Sequence, residues 1–381
     1  MKPQKVCIIG DGLTGLTTGA ILSKQNLTID LYADNKKKKN IRDNRTTAIS
    51  ESNFQYIKSV LNLSTTSFFW TCKKINLFYQ DEKKIINFLN YKENNKNLMH
   101  IFQNKDLKKK LNTIISRKKN IKLIKKKIEA INSDNSFVMV NKQKIFYDLI
   151  ILSTGSLSNF YSKIDTGRAI KKNYGEIALT TQIKHKGNIQ NASQFFLKEG
   201  PLAVLPYKKN FFSTVWSVSN NYFYQNQNNF KKILFEKLKI LLNTNKIINI
   251  SEIKFFPINL NLKTKYFKKN ILILGDGLHT IHPVAGQGFN LVLRDIRKLT
   301  ELTSKTLQLG LLFTNTLILK DFYNSRKPEN NLFGLGINLT NLFFKDRKYF
   351  SSIKKAVLNN INNFSFVKKT SQTLADKGFL F

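Results

Sequence analysis

The chain has 381 residues, 41% of them hydrophobic, two cysteines and a formal net charge of +39. That length predicts two domains, or one large domain carrying an insertion, and two cysteines are too few for a disulfide framework. The basic surface would attract nucleic acid or anionic lipid; with no nucleic-acid module apparent, either an anionic membrane face or AT-rich codon usage, which favours Lys, Asn, Ile and Phe alike, accounts for it.

No leader-type segment precedes the first apolar run. The stretch KVCIIGDGLTGLTTGAILSKQNLTIDLYAD reads as strand, glycine turn, helix and strand. Residues 5–9 are β-rich and apolar, with Cys7 as a small buried thiol. Leu13, Leu16, Ala20, Ile21 and Leu22 recur at helical spacing, and residues 27–32 return to strand. This is the opening βαβ unit of a dinucleotide-binding fold. Its turn, Gly10-Asp11-Gly12-Leu13-Thr14-Gly15, fits G-x-G-x-x-G. The first glycine allows the tight turn, the second admits a pyrophosphate to the backbone, and the third lets helix and strand pack closely. The helix N-terminus then offers free N–H groups to the phosphates. The acid expected after the second strand is displaced: the usual spacing lands on Ala33. Asp34, one residue on, either grips a ribose or is a solvated turn residue. The run NKKKKN over 35–40 reads as a loop.

Two further apolar strands, YDLIILSTG over 147–155 and NILILGDG over 270–277, end on glycine. Three such strands predict one parallel sheet whose carboxyl ends gather around a ligand. Between them, EIALTTQIKH and FFSTVWSVS alternate, punctuated by Pro201 and Pro206, and read as an inserted antiparallel sheet. The segment LGLLFTNTLIL from Leu309 is too short and too polar to span a bilayer, and the patterning beyond Leu319 is helical. The predicted architecture is α/β. A Rossmann-like dinucleotide-binding domain would take residues 1–74, 98–172 and 263–320, and an inserted mixed or antiparallel β-sheet substrate domain 75–97 and 173–262. A helical C-terminal region would take 321–381. The expected location is cytoplasmic, free or peripheral on the inner face of the membrane.

The stretch ILGDGLHTIHPVAGQGFNLVLRD, residues 273–295, holds four of the chain's 17 glycines and two of its four histidines. Asp276 emerges from a strand where its carboxylate would accept hydrogen bonds from a ribityl chain. Gly286 and Gly288 would let backbone crowd a flat ring, and a helix beginning near Asn290 would aim its N-terminus there. An anionic reduced flavin carries negative charge on that edge. Two dinucleotide-type motifs framing an inserted sheet suit FAD better than NAD. His279 and His282 have a spacing found in metal pairs, but no cysteine or carboxylate cluster completes a set, so no metal is predicted. His282 is kept as a candidate general base, or with Pro283 as a shaper of the turn. His100 and His185 are read as structural or exposed.

RTTAIS over 45–50, GPLAVLP over 200–206 and GDGLHTIHPVAGQGFNLVLRD over 275–295 resemble the ubiquinone-biosynthesis hydroxylases. These belong to the p-hydroxybenzoate-hydroxylase-like group of FAD monooxygenases. The resemblance runs from residue 1 to about 325. It implies that Gly10, Gly12, Leu13, Thr14 and Gly15 cradle the FAD pyrophosphate. Arg45 would contact the cofactor rather than serve as a surface arginine, and Asp276 would bind the ribityl chain. Pro283, Gly286, Gln287, Gly288 and Asn290 would line the flavin, with Arg294 and Asp295 fixing the helix. Departures from the family pattern are Thr154 in place of an aspartate, Tyr161 in place of an arginine, Val292 in place of a glycine, and the displaced Asp34. The first two put the route of flavin reduction in doubt.

The resemblance further implies hydroxylation of a polyprenylated phenol by dioxygen through a flavin hydroperoxide. Electrons would come from NAD(P)H or a reductase partner, and other ubiquinone-synthesis proteins are possible partners. The apolar face carrying Leu202, Val204, Leu205 and Trp216 is either the substrate wall or plain core. Two alternatives stay open: a soluble aromatic substrate, and a degenerate scaffold without catalysis.

Overall fold

The computed structural model describes residues 2–33, 43, 45–63, 66–82, 84–92, 96–155, 159–164, 169–283, 286–314, 317–345 and 365–378. Asp34 and the lysine run over 35–40 lie outside the described residues.

Five parallel strands and one antiparallel edge strand form the first sheet. Its order is Phe267–Lys268, Ile271–Ile273, Leu149–Leu152, Gln4–Ile9, Leu27–Tyr32 and Ile121–Ile124. The three glycine-terminated strands are therefore neighbours, with Ile150 beside Ile271 and Val6 beside Leu149. Parallel strands covered on both faces read as unbroken apolar runs rather than alternating ones. Accordingly Val6, Cys7, Ile8, Leu149, Ile150 and Ile151 have no exposed surface, and burial pushes the Cys7 thiol well above its ordinary pKa. The helices Leu13–Leu22, Asn104–Ser116 and Gly288–Gln308 contribute to the same core.

Nine strands form the second sheet. Its spine is the 17-residue strand Ala169–His185, which pairs antiparallel with Lys254–Lys263 on one side and Phe211–Ser219 on the other. The order continues through Pro201–Lys208, Ala192–Phe196, Lys74–Asp81 and Lys84–Lys92. Here the alternation seen in sequence sorts residues to two faces. One face packs under the helices Asn220–Asn226 and Phe230–Leu241, with Leu202, Val204, Phe212, Trp216, Phe230 and Leu234 in one cluster. The other face turns toward the first sheet.

Two devices join the layers. The short strand His279–Thr280 pairs with Lys254–Lys263, setting His279 opposite Leu262. A small antiparallel sheet of Thr46–Ser50, Met99–Gln103 and Trp70–Cys72 sits beside both. At the C-terminal end, helices Leu317–Lys345 and Ser365–Lys377 pack back onto the body. Among the described residues no helix is long and apolar enough to cross a membrane.

Candidate active site

The first glycine turn is built by close approach. Gly10 has φ +119°, and its N–H donates to Tyr32 O at 2.9 Å. A Cβ on Gly15 would lie 1.8 Å from the Gly10 carbonyl oxygen, so no side chain fits there. Gly12 is different: a Cβ on it would meet nothing within 4 Å, because it faces a cavity. The helix Leu13–Leu22 begins at Gly12 with no side-chain cap. Its leading N–H groups thus point into open space, a ready anion site.

The second motif faces the same space. Asp276 is exposed on the tight turn Gly275–Gly277. Arg45 approaches from the strand Thr46–Ser50 and is gripped by Asp43, Nε to Oδ1 at 2.8 Å and NH2 to Oδ2 at 2.9 Å. Burial pushes the Asp43 carboxyl up, but the Arg45 hydrogen bonds and charge more than reverse it and hold the group below its usual range. The same hydrogen bond raises Arg45, and the nearby Asp276 charge adds to it. The helix Gly288–Gln308 also starts without a side-chain cap, and Gly288 opens onto empty space. Gln287 beside it buries its Oε1 without a hydrogen-bond partner.

Asn290 is a buried hydrogen-bond knot at the edge of the same space. Its Oδ1 accepts from Ser50 N and Asn53 Nδ2, both at 2.9 Å, and its Nδ2 donates to Ala48 O and Gly286 O, both at 3.2 Å. These bonds lock the helix Gly288–Gln308 against the strand Thr46–Ser50. The two histidines of the motif are likewise engaged. His279 Nε2 pairs with Asp295 Oδ2 at 2.7 Å, and Asp295 Oδ1 accepts from Arg326 Nε at 2.7 Å. His282 is fully buried, with Nε2 2.9 Å from Glu176 Oε2, while Glu176 Oε1 accepts from Lys345 Nζ at 2.9 Å. Glu176 reaches His282 because the strand Ala169–His185 bulges between Asn173 and Glu176, where Gly175 takes φ +62°. Burial would raise the Glu176 carboxyl; the His282 and Lys345 hydrogen bonds overcome that and hold it at about 2.

One cavity of about 3280 Å³ gathers these groups. It is several times the roughly 300–1,000 Å³ of an ordinary ligand pocket, room for a dinucleotide and a second large molecule. Gly10, Gly12, Leu13, Thr14, Arg45, Asp276, His282, Pro283, Gly286, Gln287, Gly288, Asn290 and Leu205 line it; Gly15 supports from behind. Leu202, Val204 and Trp216 do not, which corrects the expected substrate wall. Strand alternation sends them to the outer face, under the helices, while Ala203, Leu205 and Val215 point inward to the cavity. The two altered family positions meet each other: Thr154 Oγ1 donates to the Tyr161 hydroxyl at 3.0 Å. A Cβ on Gly277 would fall 2.1 Å from that hydroxyl, so Tyr161 occupies space that only a glycine leaves.

Sequence reasoning passed over the far wall. Phe88, Leu89, Phe196, Phe343 and Phe344 line the cavity and pack as one cluster with Leu77 and Tyr91. The signal was present in NNLFGLGINLTNLFF over 330–344, which holds no charged residue. The C-terminal helix Ser365–Lys377 closes another side, its carbonyls at Ala375 and Asp376 accepting from the buried Arg294. Arg294 is thus spent on holding that helix.

These residues fit FAD. Two uncapped helix N-termini face one cavity, two glycines open onto unfilled space, and a buried amide oxygen lacks a partner, as a dinucleotide with a flavin head requires. The comparisons agree. A family model described as FAD binding domain matches residues 171–308. The chain is 24% identical to the mitochondrial ubiquinone biosynthesis monooxygenase COQ6 of Dictyostelium discoideum, covering 95% of this chain and 89% of that one. It is 30% identical to the 3-demethoxyubiquinol 3-hydroxylase of Escherichia coli over 38% of each. Its fold is similar to that of p-nitrophenol 4-monooxygenase PnpA of Pseudomonas putida, with a TM-score of 0.78 at 13% identity over 98% of this chain and 99% of that chain. In sequence the chain is thus similar to the ubiquinone-biosynthesis hydroxylases, and in fold to FAD-dependent monooxygenases.

Proposed function

We propose that the protein hydroxylates the aromatic ring of a polyprenylated phenol in ubiquinone biosynthesis. Dioxygen would be the co-substrate and NAD(P)H or a reductase partner the electron source. The observation that carries this reading is the make-up of that cavity. It joins the glycine turns and helix N-termini to a wall of Leu77, Phe88, Leu89, Phe196, Phe343 and Phe344. A small soluble aromatic needs no such second wall.

Bound FAD supplies the activation of dioxygen for transfer of one oxygen atom. The chain supplies the rest. Gly10, Gly12, Leu13 and Thr14 would hold the pyrophosphate at the N-terminus of helix Leu13–Leu22, with Gly15 keeping the turn closed. Arg45, fixed by Asp43, would face cofactor oxygens, and Asp276 would accept hydrogen bonds from the ribityl hydroxyls. Pro283, Gly286, Gln287 and Gly288 would border the flavin ring, and the N-terminus of helix Gly288–Gln308 would stabilise negative charge on its nearer edge. His282, buried at the cavity wall and tied to Glu176, would position this turn rather than act as a base. The apolar wall of the second sheet, with Ala203, Leu205 and Val215, would orient the substrate ring and exclude water. We assign the first sheet and its helices to the cofactor and the nine-stranded sheet to the substrate.

The test is direct. Purified FAD-loaded protein is given a prenylated phenol, a reductant and ¹⁸O-labelled dioxygen, and the product is read by mass spectrometry. Incorporation of one labelled oxygen into the ring supports the proposal. Consumption of reductant with dioxygen reduced only to hydrogen peroxide, and every prenylated phenol unchanged, contradicts it.

A further inference from the structure

The outer face of helix Leu317–Lys345 is not used by the cofactor site. Leu332, Leu335, Leu339 and Leu342 on it are 45%, 41%, 64% and 42% exposed. Spacings of three, four and three residues put all four on one side of a helix. Asn330, Gly334, Ile337 and Asn341 are buried on the other side. Residues 330–344 are free of charge in a chain in which 23% of residues are charged. An unbroken apolar stripe on a segment with no charge of its own is an interaction surface rather than a solvated one.

What it faces follows from three observations. The stripe is continuous with the cavity, because Leu339 is both exposed and part of the cavity wall. Phe343 and Phe344 follow on that wall, Phe344 stacked on Phe196 with ring centroids 3.6 Å apart. Cations stand at this helix: Lys172 Nζ donates to Asn338 Oδ1 at 3.2 Å, and Lys345 at its end is half exposed while paired with Glu176; Lys368 and Lys369 line the cavity that the stripe joins. The formal net charge of +39 sets the sign of any extended surface the molecule would approach.

We propose that the leucine stripe of helix Leu317–Lys345 inserts into the headgroup–acyl boundary of an anionic bilayer, and that the cavity opens onto that bilayer at Leu339. A prenylated substrate then reaches the site without its tail crossing water. The route, though not the docking, rests on the isoprenoid-tailed substrate proposed above. A second group of exposed leucines, Leu309, Leu311, Leu312 and Leu317, does not share these features. Gln4 Nε2 donates to Leu311 O at 2.9 Å, which places that group at the N-terminal end of the strand Gln4–Ile9. The Gly10 turn and the cavity lie at the opposite end of that strand. It serves as the control surface.

The experiment uses the full-length, FAD-loaded protein and sedimentation with vesicles of phosphatidylcholine alone or mixed equally with phosphatidylglycerol. Wild type should sediment with the mixed vesicles. The double variant Leu332→Gln/Leu335→Gln should partition about tenfold less or worse, and Leu311→Gln/Leu312→Gln should match wild type. Neither variant should alter hydroxylation of a short-tailed, water-soluble prenylated phenol. Equal partition of all three proteins would overturn the proposal, since charge alone would then hold the protein. So would a stripe variant that changes the oligomeric state but not vesicle binding, since the stripe would then be a protein interface. Stripe-dependent binding by a protein that hydroxylates no prenylated phenol would uphold the docking surface and contradict the substrate instead.

Discussion

Gly12 and Gly15 share one turn yet answer to different constraints. Gly15 is enforced by the protein itself, since its missing Cβ would collide with backbone; Gly12 faces only the space a ligand would fill. Replacing Gly12 with valine should leave the melting temperature of the FAD-free protein unchanged and weaken FAD binding by about a hundredfold or more, read by flavin fluorescence quenching. Replacing Gly15 with alanine should lower the melting temperature of the FAD-free protein as well. Buried carboxylates make the other residue-scale prediction. Glu176 titrates near 2 in the folded chain against an ordinary 4.5. A group with a depressed folded pKa stabilises the fold above its unfolded value and loses that contribution as pH falls through the folded one. Wild type should therefore lose stability between about pH 4.5 and 2, and the Glu176→Gln variant should show a flatter acid limb in thermal melts. Asp295, fully buried between His279 and Arg326, is the harsher case. Asp295→Ala leaves the Arg326 guanidinium buried with its principal acceptor gone and should cost about 3–5 kcal/mol by denaturant unfolding.

At the level of elements, sequence and structure agree where one segment carries its own signal. Apolar runs ending in glycine announced the parallel strands, because a strand covered on both faces needs no alternation and its turn needs bare backbone. The strand Pro201–Lys208 was harder. Its alternation reveals two faces but not which one a ligand meets, because both are covered in the fold. Leu202 and Val204, the bulkier apolar pair, went under the helices, and Ala203 and Leu205 went to the cavity. This reversal is testable in one strand. Leu202→Ala should destabilise by about 2–5 kcal/mol as a core cavity, with KM for a prenylated phenol little changed. Ala203→Trp should spare stability and raise KM by crowding the cavity. The C-terminal helices were legible as helices but not as walls of the site. Their partners, such as Phe196 for Phe344 and Arg294 for the Ala375 carbonyl, lie far away in sequence, and helical periodicity says nothing about what a face meets.

Across the whole molecule, one cavity collects motifs from both ends of the chain, and the turns at 10–15 and 275–290 need each other to enclose anything. On the proposed docking the formal charge of +39 would act at this scale too, since dispersed lysines would steer the molecule toward an anionic surface without selecting which face lands on it. Selection falls to apolar groups, and helix Leu317–Lys345 carries the apolar stripe that adjoins the cavity. The central claim is ring hydroxylation of a prenylated phenol. The measurement that bears on it most directly is mass spectrometry of the quinone pool after expressing this chain in bacterial strains that each lack one ring hydroxylase. Restored ubiquinone in one strain is the predicted result and identifies the ring position as well. Soluble, flavin-loaded protein that restores ubiquinone in none of the strains would contradict the account.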